Sequence, residues 1–291
     1  MGLLIDNLSE RQFKKLERLQ LSDSITTTES KQFVYIENKG NIKRQKKLLK
    51  IYYIDTPSNM SNKINVVSKL LDNKEYLDIP ELVLPESLVS IGGEVKGIKM
   101  PLIETNINMI FLLNNPKVNL KTKLKHLKEI LSLLQKLLNI YELKDSFFLG
   151  DIQESNFIFD VEDQMIKAID VDSCYFNGTI PFPARYLSSN KVIDTFDKKF
   201  PRDMQSNLHI PSRETTYLEF AYMLLNVLSN YHSNRFSVDE YYRYLAQLSS
   251  MGLDKKLIHF FESLYSIEQT IDILPEDLDR IDYKKNYTFV R

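Results

Sequence analysis

One cysteine, Cys174, stands in the 291 residues, so no intramolecular disulfide can form. A reducing, cytoplasmic setting is the expectation that follows, with Cys174 as a small buried filler. Eight glycines in the whole chain exclude a glycine-rich architecture. Lysine plus arginine number 38 and aspartate plus glutamate 39, a net charge of −1. That balance gives no global field toward nucleic acid or an anionic membrane, and neither is expected as a partner. The longest apolar stretch, 217–228, is 12 residues and includes Glu219 and Asn226. It is too short to span a bilayer and reads as a buried helix. The start of the chain has no basic segment followed by a long apolar run, and Asp6 stands where a myristoylation signal needs Ser or Thr. The four histidines have no metal-ligand spacing with Cys174 or one another, and no G-x-S-x-G is present.

What remains is ordinary globular material: 43% hydrophobic, 26% charged, and enough length for a substantial core. Ser9 and Gln12 form a capping-box pattern ahead of Phe13, Leu16 and Leu19, which predicts a short helix over 9–21. Residues 24–36 and 46–54 read as strands around the turn Asn38-Lys39-Gly40-Asn41. Residues 61–72 read as a helix and 81–103 as two strands around Gly92-Gly93. The pattern changes near Met100 to Ile103. From Leu120 to Tyr141, apolar residues recur at alternating spacings of four and three and predict one amphipathic helix. Further helices are expected over 217–228, 237–250 and 254–265.

The stretch 149–173, LGDIQESNFIFDVEDQMIKAIDVDS, carries the most chemistry. Phe157 to Phe159 and Ile166 to Ile169 read as two short strands joined by the polar turn Val161 to Gln164. Such a hairpin sets Asp151, Asn156 and Asp170 around one small volume. An Asp and an Asn sharing a divalent ion, beside a second Asp that accepts a proton, are what phosphoryl transfer requires. The competing reading is that these residues merely cap turns. A glycosidase carboxylate pair would leave Asn156 without a role.

The order Asp, Asn five residues on, then an Asp after a hairpin resembles the catalytic loop and metal-binding strand of the protein kinase-like superfamily. The wording G-D-x-x-x-x-N and I-D-x-D-S is closer to bacterial kinase-like proteins and aminoglycoside phosphotransferase-like small-molecule kinases. The resemblance implies an α+β bilobal protein kinase-like fold. Residues 1–103 would form an N-lobe, an antiparallel sheet with one helix and a short N-terminal helical extension. Residues 104–291 would form a mainly helical C-lobe. Asp151 would match the catalytic base, Asn156 and Asp170 the ligands of Mg²⁺ or Mn²⁺, and Asp172 a helper at the second metal. Lys50, mid-strand among apolar neighbours, would contact the ATP phosphates. Of Lys39, Lys43, Arg44, Lys46 and Lys47, most would be solvated surface charges, Lys47 among them.

Two features depart from the pattern. Thr26-Thr27-Thr28-Glu29-Ser30 stands where a glycine-rich loop belongs, and 61–72 lacks a glutamate to hold Lys50, which leaves Glu75 as its candidate partner. Thr216 stands where the scaffold helix of the family has an anchoring Asp. The segment 174–212 has no clear A-P-E, the nearest echo being Pro211-Ser212-Arg213-Glu214. The expected activity is transfer of the ATP γ-phosphoryl group to a hydroxyl, as in a bacterial-type Ser/Thr protein kinase-like enzyme. The alternatives are a small-molecule kinase acting on an aminoglycoside, choline or a sugar, and a non-catalytic nucleotide-binding pseudokinase scaffold. The expected partners are therefore ATP and a protein or small-molecule hydroxyl acceptor.

Overall fold

A computed structural model of the chain describes residues 4–19, 30–37, 45–54, 56–176, 179, 211–231, 236–264 and 271–290. The N-terminal part is built on strands β1 (Ile5–Leu8), β2 (Glu17–Arg18), β3 (Ser30–Glu37), β4 (Gln45–Tyr52), β5 (Ser87–Ile91) and β6 (Glu94–Pro101). They form one sheet in the order β1-β5-β6-β4-β3-β2, with β1 parallel to β5 and every other neighbour antiparallel. Gly92 and Gly93 both have positive φ and close the β5–β6 hairpin, the backbone that a two-residue turn of this kind demands. Gly97 on β6 approaches β4 so closely that a Cβ would lie 2.2 Å from the Lys50 carbonyl oxygen.

Helix α1 (Glu10–Phe13) begins with the expected capping box, Ser9 with Gln12, but ends after one turn. The predicted helix over 9–21 is cut short because Glu17 and Arg18 pair with Val34 and Phe33 as an edge strand. Phe13 and Leu16 then cover the sheet face formed by Leu49, Ile51, Val89 and Ile91. Helix α2 (Pro57–Asp72) packs on the opposite face. Thr56 caps it, and Pro57 occupies a first-turn position where its missing N–H costs nothing. Its Val67 joins Tyr52, Leu88, Ile98 and Met100 beneath the sheet, while its Val66 and Leu70 enter the larger core of the C-terminal part. Asn73 caps α2, and a one-turn helix, α3 (Lys74–Leu77), follows.

The rest is mainly helical around small β elements. Strand β7 (Asn106–Asn108) and α4 (Met109–Leu113) lead to α5 (Leu120–Leu138), whose N-cap is Asn119. The apolar stripe of α5 is buried as the spacing requires, from Leu124 through Leu137. Tyr141 lies beyond the helix and is 87% exposed, so the periodicity runs three residues past the real end. After β8 (Phe147–Phe148), the expected hairpin forms from β9 (Phe157–Asp160) and β10 (Met165–Ala168) and joins β7. The Asp160 carboxylate accepts from the Glu162 N–H at 2.9 Å and fixes the turn. Strand β11 (Tyr175–Phe176) pairs with β8. Helices α6 (Arg213–Ser229), α7 (Val238–Ser250) and α8 (Lys255–Ser263) complete the core. Ser212, in the A-P-E-like echo, caps α6. The turn at 38–41, the threonine run 26–29 and most of the segment 174–212 lie outside the described residues. Among the described residues no helix is long and apolar enough to cross a membrane.

Candidate functional site

Strand β4 alternates. Leu48, Lys50 and Tyr52 face α2, and Lys47, Leu49 and Ile51 face the other way. Lys50 is an interior residue of an interior strand and is 6% exposed. An ammonium group there needs partners. It finds them 120 residues along the chain. Lys50 Nζ donates to Asp170 Oδ1 and, at 2.8 and 3.1 Å, to both carboxylate oxygens of Asp172. The lysine thus ties the sheet to the residues that follow the β9–β10 hairpin.

The chain leaves that hairpin through a short turn. Ile169 N–H donates to the Asn156 carbonyl at 2.9 Å and closes its base, so Asn156 and Asp170 stand side by side. Asp170 adopts the left-handed conformation, φ 62°, and a 3₁₀ turn over Val171–Ser173 follows. Asp and Asn tolerate that backbone better than other non-glycine residues. The turn carries Asp172 into the interior, where it is fully buried. Tyr52 donates its hydroxyl to Asp172 Oδ2 at 2.7 Å, and Lys63 from α2 pairs with the same oxygen at 3.1 Å. Burial pushes the Asp172 carboxyl up, but the charges of Lys50 and Lys63 outweigh it and hold the group well below the usual carboxylate range. Burial, then the Asp172 charge, pushes the Tyr52 hydroxyl well up, so it stays a neutral donor. Burial also pushes the neighbouring Cys174 thiol up, consistent with the expected inert filler.

Asp151 heads the loop before the hairpin, also left-handed, with φ 53°. Gln153 Nε2 donates to both of its carboxylate oxygens at 3.0 Å. Asn156 Nδ2 donates to the Asp151 carbonyl at 2.7 Å and to its Oδ2 at 2.9 Å. The loop is anchored from below by α6. Glu219 accepts the Ile152 N–H at 3.1 Å. Burial of its carboxyl and the nearby negative Asp151 push Glu219 well above the usual range, against the opposing effect of that N–H.

Lys50, Asn156 and Asp170 line one cavity of about 480 Å³ between the sheet and the hairpin. Leu48, Val83, Met100, Ile158 and Ile169 supply its apolar walls, and Leu102 and Ile103 its rim. Such a space, apolar with a few convergent polar groups at one end, suits a flat heterocycle carrying an anionic tail. Asn156 spends its amide nitrogen on Asp151. Its carboxamide oxygen accepts from the Ser155 hydroxyl at 3.4 Å and has a further lone pair to offer. Asp170 is 30% exposed at its side chain. Two hard oxygen donors of this kind fit Mg²⁺ or Mn²⁺, with the remaining positions left to ligand oxygens and water. Among the described residues, no group of three or more His, Cys, Asp or Glu side chains forms an all-protein metal cage.

The structure therefore brings Lys50, Asp151, Asn156 and Asp170 to one place. It does not bring Glu75 there. Helix α2 ends at Asp72, and Glu75 lies exposed in the first turn of α3, beside Tyr76. Asp172, expected beside a second metal, instead has both oxygens engaged by Lys50, Lys63 and Tyr52 with no exposure. Lys47, expected to be solvated, is buried and paired with Glu86, because the strand alternation turns it into the opposite sheet face. Lys46 is half exposed beside Glu104, and Lys39, Lys43 and Arg44 lie outside the described residues. On α6 the Thr216 hydroxyl bonds back to the Ser212 carbonyl, and Glu219, one helical turn on, is the side chain that meets the Asp151 loop. Sequence reasoning missed Lys63, Tyr52 and Glu219. The signal for Glu219 was present, a charge inside an otherwise apolar helix. No family model matches the chain, and no curated protein matches it either.

Proposed function

We propose that the chain is an ATP-dependent phosphotransferase on a bilobal protein kinase-like fold, with residues 1–103 as the nucleotide-binding lobe and 104–291 as the catalytic lobe. The observation that carries this reading is the direct ion pair of Lys50, from the middle of the sheet, with Asp170 in the wall of a cavity that Asn156 also lines. The order of the parts along the chain and their meeting in space are the two things a phosphoryl-transfer site needs at once. Adenine would enter the apolar end between Leu48, Met100 and Ile158. Lys50 would hold the phosphates. Asn156 and Asp170 would hold Mg²⁺ or Mn²⁺, whose role when bound is to neutralise charge on the phosphate oxygens. An acceptor hydroxyl oxygen would bond to the γ-phosphorus as the bond to the β–γ bridging oxygen breaks. ADP leaves, and the hydroxyl proton passes to Asp151, which Gln153 and Asn156 orient.

The acceptor we assign first is a Ser/Thr-type protein hydroxyl, with a small-molecule alcohol as the other outcome of the same assay. A nucleotide-binding scaffold without transfer is the second reading. The observation favouring it is that Gln153 and Asn156 already engage both oxygens of Asp151.

Thermal unfolding with ATP tests the binding half. At a hundredfold excess over Kd the native state gains about 2.7 kcal/mol. That gain should appear with Mg²⁺ or Mn²⁺, and Asp170→Ala should remove its metal-dependent part. Equal stabilisation by ATP in excess chelator would sink the Asn156–Asp170 assignment. Asp151→Asn tests the chemistry, because it keeps shape and removes the base. Transfer to a protein or alcohol panel should fall about 100-fold or more while ATP still binds. Equal trace transfer by wild type and variant gives the scaffold reading the decision.

A further inference from the structure

Beneath the cavity lies a charged cluster for which the proposed chemistry gives no direct role. Lys63, on α2, is 3% exposed, and its ammonium lies 3.1 Å from Asp172 Oδ2 and donates to the Ser173 hydroxyl at 3.0 Å. Asp172 therefore holds two lysines from two elements, Lys50 from β4 and Lys63 from α2, with the Tyr52 hydroxyl on the same carboxylate. Both ammonium groups also stand over the Tyr52 ring, at 5.9 and 5.6 Å from its centroid.

The two carboxylate partners of Lys50 are not equivalent. Asp170 is partly exposed and lines the cavity, so an incoming cation can reach it. Asp172 has no exposure and does not line the cavity. A ligand that recruits Asp170 takes away one partner of Lys50 and leaves the other. The lysine then keeps a fixed counter-charge at its back while its outward side becomes available to an anion. Lys63 sets where that counter-charge sits, because it bonds both Asp172 and Ser173 and so binds the turn after Asp170 to the middle of α2.

Resting on the nucleotide reading above, we propose that Asp172 and Lys63 are the positioning residues of this site. Asp172 replaces a helix acid as the permanent partner of Lys50. Lys63 completes the clamp from the helix with the opposite charge, so that α2, the sheet and the Asp170 turn move as one unit toward phosphate. The pair touches neither nucleotide nor acceptor and acts through Lys50.

The test separates a phosphate-positioning role from simple support of the core. Binding of ATP and of adenosine is measured by titration calorimetry with Mg²⁺, below the melting point of every protein used. Lys63→Met should weaken ATP about tenfold or more while leaving adenosine within about twofold, since the clamp acts only on the charged tail. Lys63→Arg, which keeps the charge, should restore most of the ATP affinity. Lys47→Met breaks a buried ion pair on the other face of the same strand and should move neither ligand. If Lys63→Met does not fold, Lys63→Gln, which keeps a donor for the Ser173 hydroxyl and removes the charge, takes its place. It too must lose ATP selectively. Wild-type affinity for ATP in the folded variant, or equal losses of ATP and adenosine, overturns the proposal. A wild-type protein that binds no ATP overturns the nucleotide reading beneath it, and the clamp's role with it.

Discussion

Glu219 is the anchor of the Asp151 loop, and its two duties can be pulled apart. One is geometric: it accepts the N–H of Ile152, a buried residue, at 3.1 Å. The other is a liability, since its charge lies in a place that burial and the negative Asp151 both disfavour. Glu219→Gln keeps an acceptor oxygen and removes the charge. Glu219→Ala removes both and leaves the Ile152 N–H unpaired, which costs about 1–3 kcal/mol. The Gln–Ala difference should therefore be about that size and independent of pH. The Gln–Glu difference should depend on pH. The folded pKa of Glu219 lies above its unfolded value, so below the unfolded value both states hold the proton and the charge costs nothing. As pH rises from there through the folded value the unfolded state ionises first, and native stability falls until the cost is complete. Glu219→Gln should thus gain on wild type as pH rises above the ordinary carboxylate range. Urea unfolding followed by far-UV circular dichroism reads both differences, since the chain has no tryptophan to report by fluorescence. In melting temperature the Gln–Ala gap is about 2–4 °C per kcal/mol. If Glu219→Gln falls as far as Glu219→Ala, the ionised charge is itself the anchor and the argument fails. A Gln–Glu difference that stays flat over that rise in pH refutes the assigned direction of the shift.

Other perturbations address the sheet side of the site. Lys50→Met should weaken ATP binding about tenfold or more, while Lys46→Met, four residues earlier and solvated, should leave it within about twofold; equal effects in a nucleotide titration would mean the strand register is misread. Gly97→Ala would put a methyl group 2.2 Å from the Lys50 carbonyl oxygen, so β4 or β6 must shift. A loss of about 1–3 kcal/mol in denaturant unfolding is expected, together with weaker nucleotide binding, and a silent substitution would argue against that close approach.

The sequence carried the parts of this site whose signal is local. The β9–β10 hairpin was legible because apolar runs flank a polar turn, and the meeting of Asn156 with Asp170 follows from closing it. Lys50 was legible because a lysine between apolar neighbours must be aimed at something. Helix α5 showed its stripe but not its end, since Tyr141 fits the period and yet falls past the Asn139 cap. Lys47 misled for a physical reason. In a run of lysines, exposure depends on what covers each face of the strand, and the far face of this sheet is covered by the N-terminal segment carrying Phe13 and Leu16. Nothing within the strand itself states that.

The acids that sequence matching assigned badly share one cause. A buried ammonium group or an unpaired loop N–H sets a demand in space, and any element passing within reach can meet it. Lys50 needed a carboxylate, and along the chain the nearest one after α2 is Glu75, which α3 holds at the surface. The turn after Asp170 supplies it instead through Asp172, at which point α2 is free to carry the opposite charge and does so with Lys63. The buried Ile152 N–H needed an acceptor, and the Thr216 hydroxyl on α6 is turned to the Ser212 carbonyl instead. Glu219, three residues on, lies on nearly the same face of the helix and meets the same demand. In both places the charge requirement held while the residue meeting it moved. A partner sought at one position along the chain is therefore better sought among the groups that the fold brings within reach of the demand.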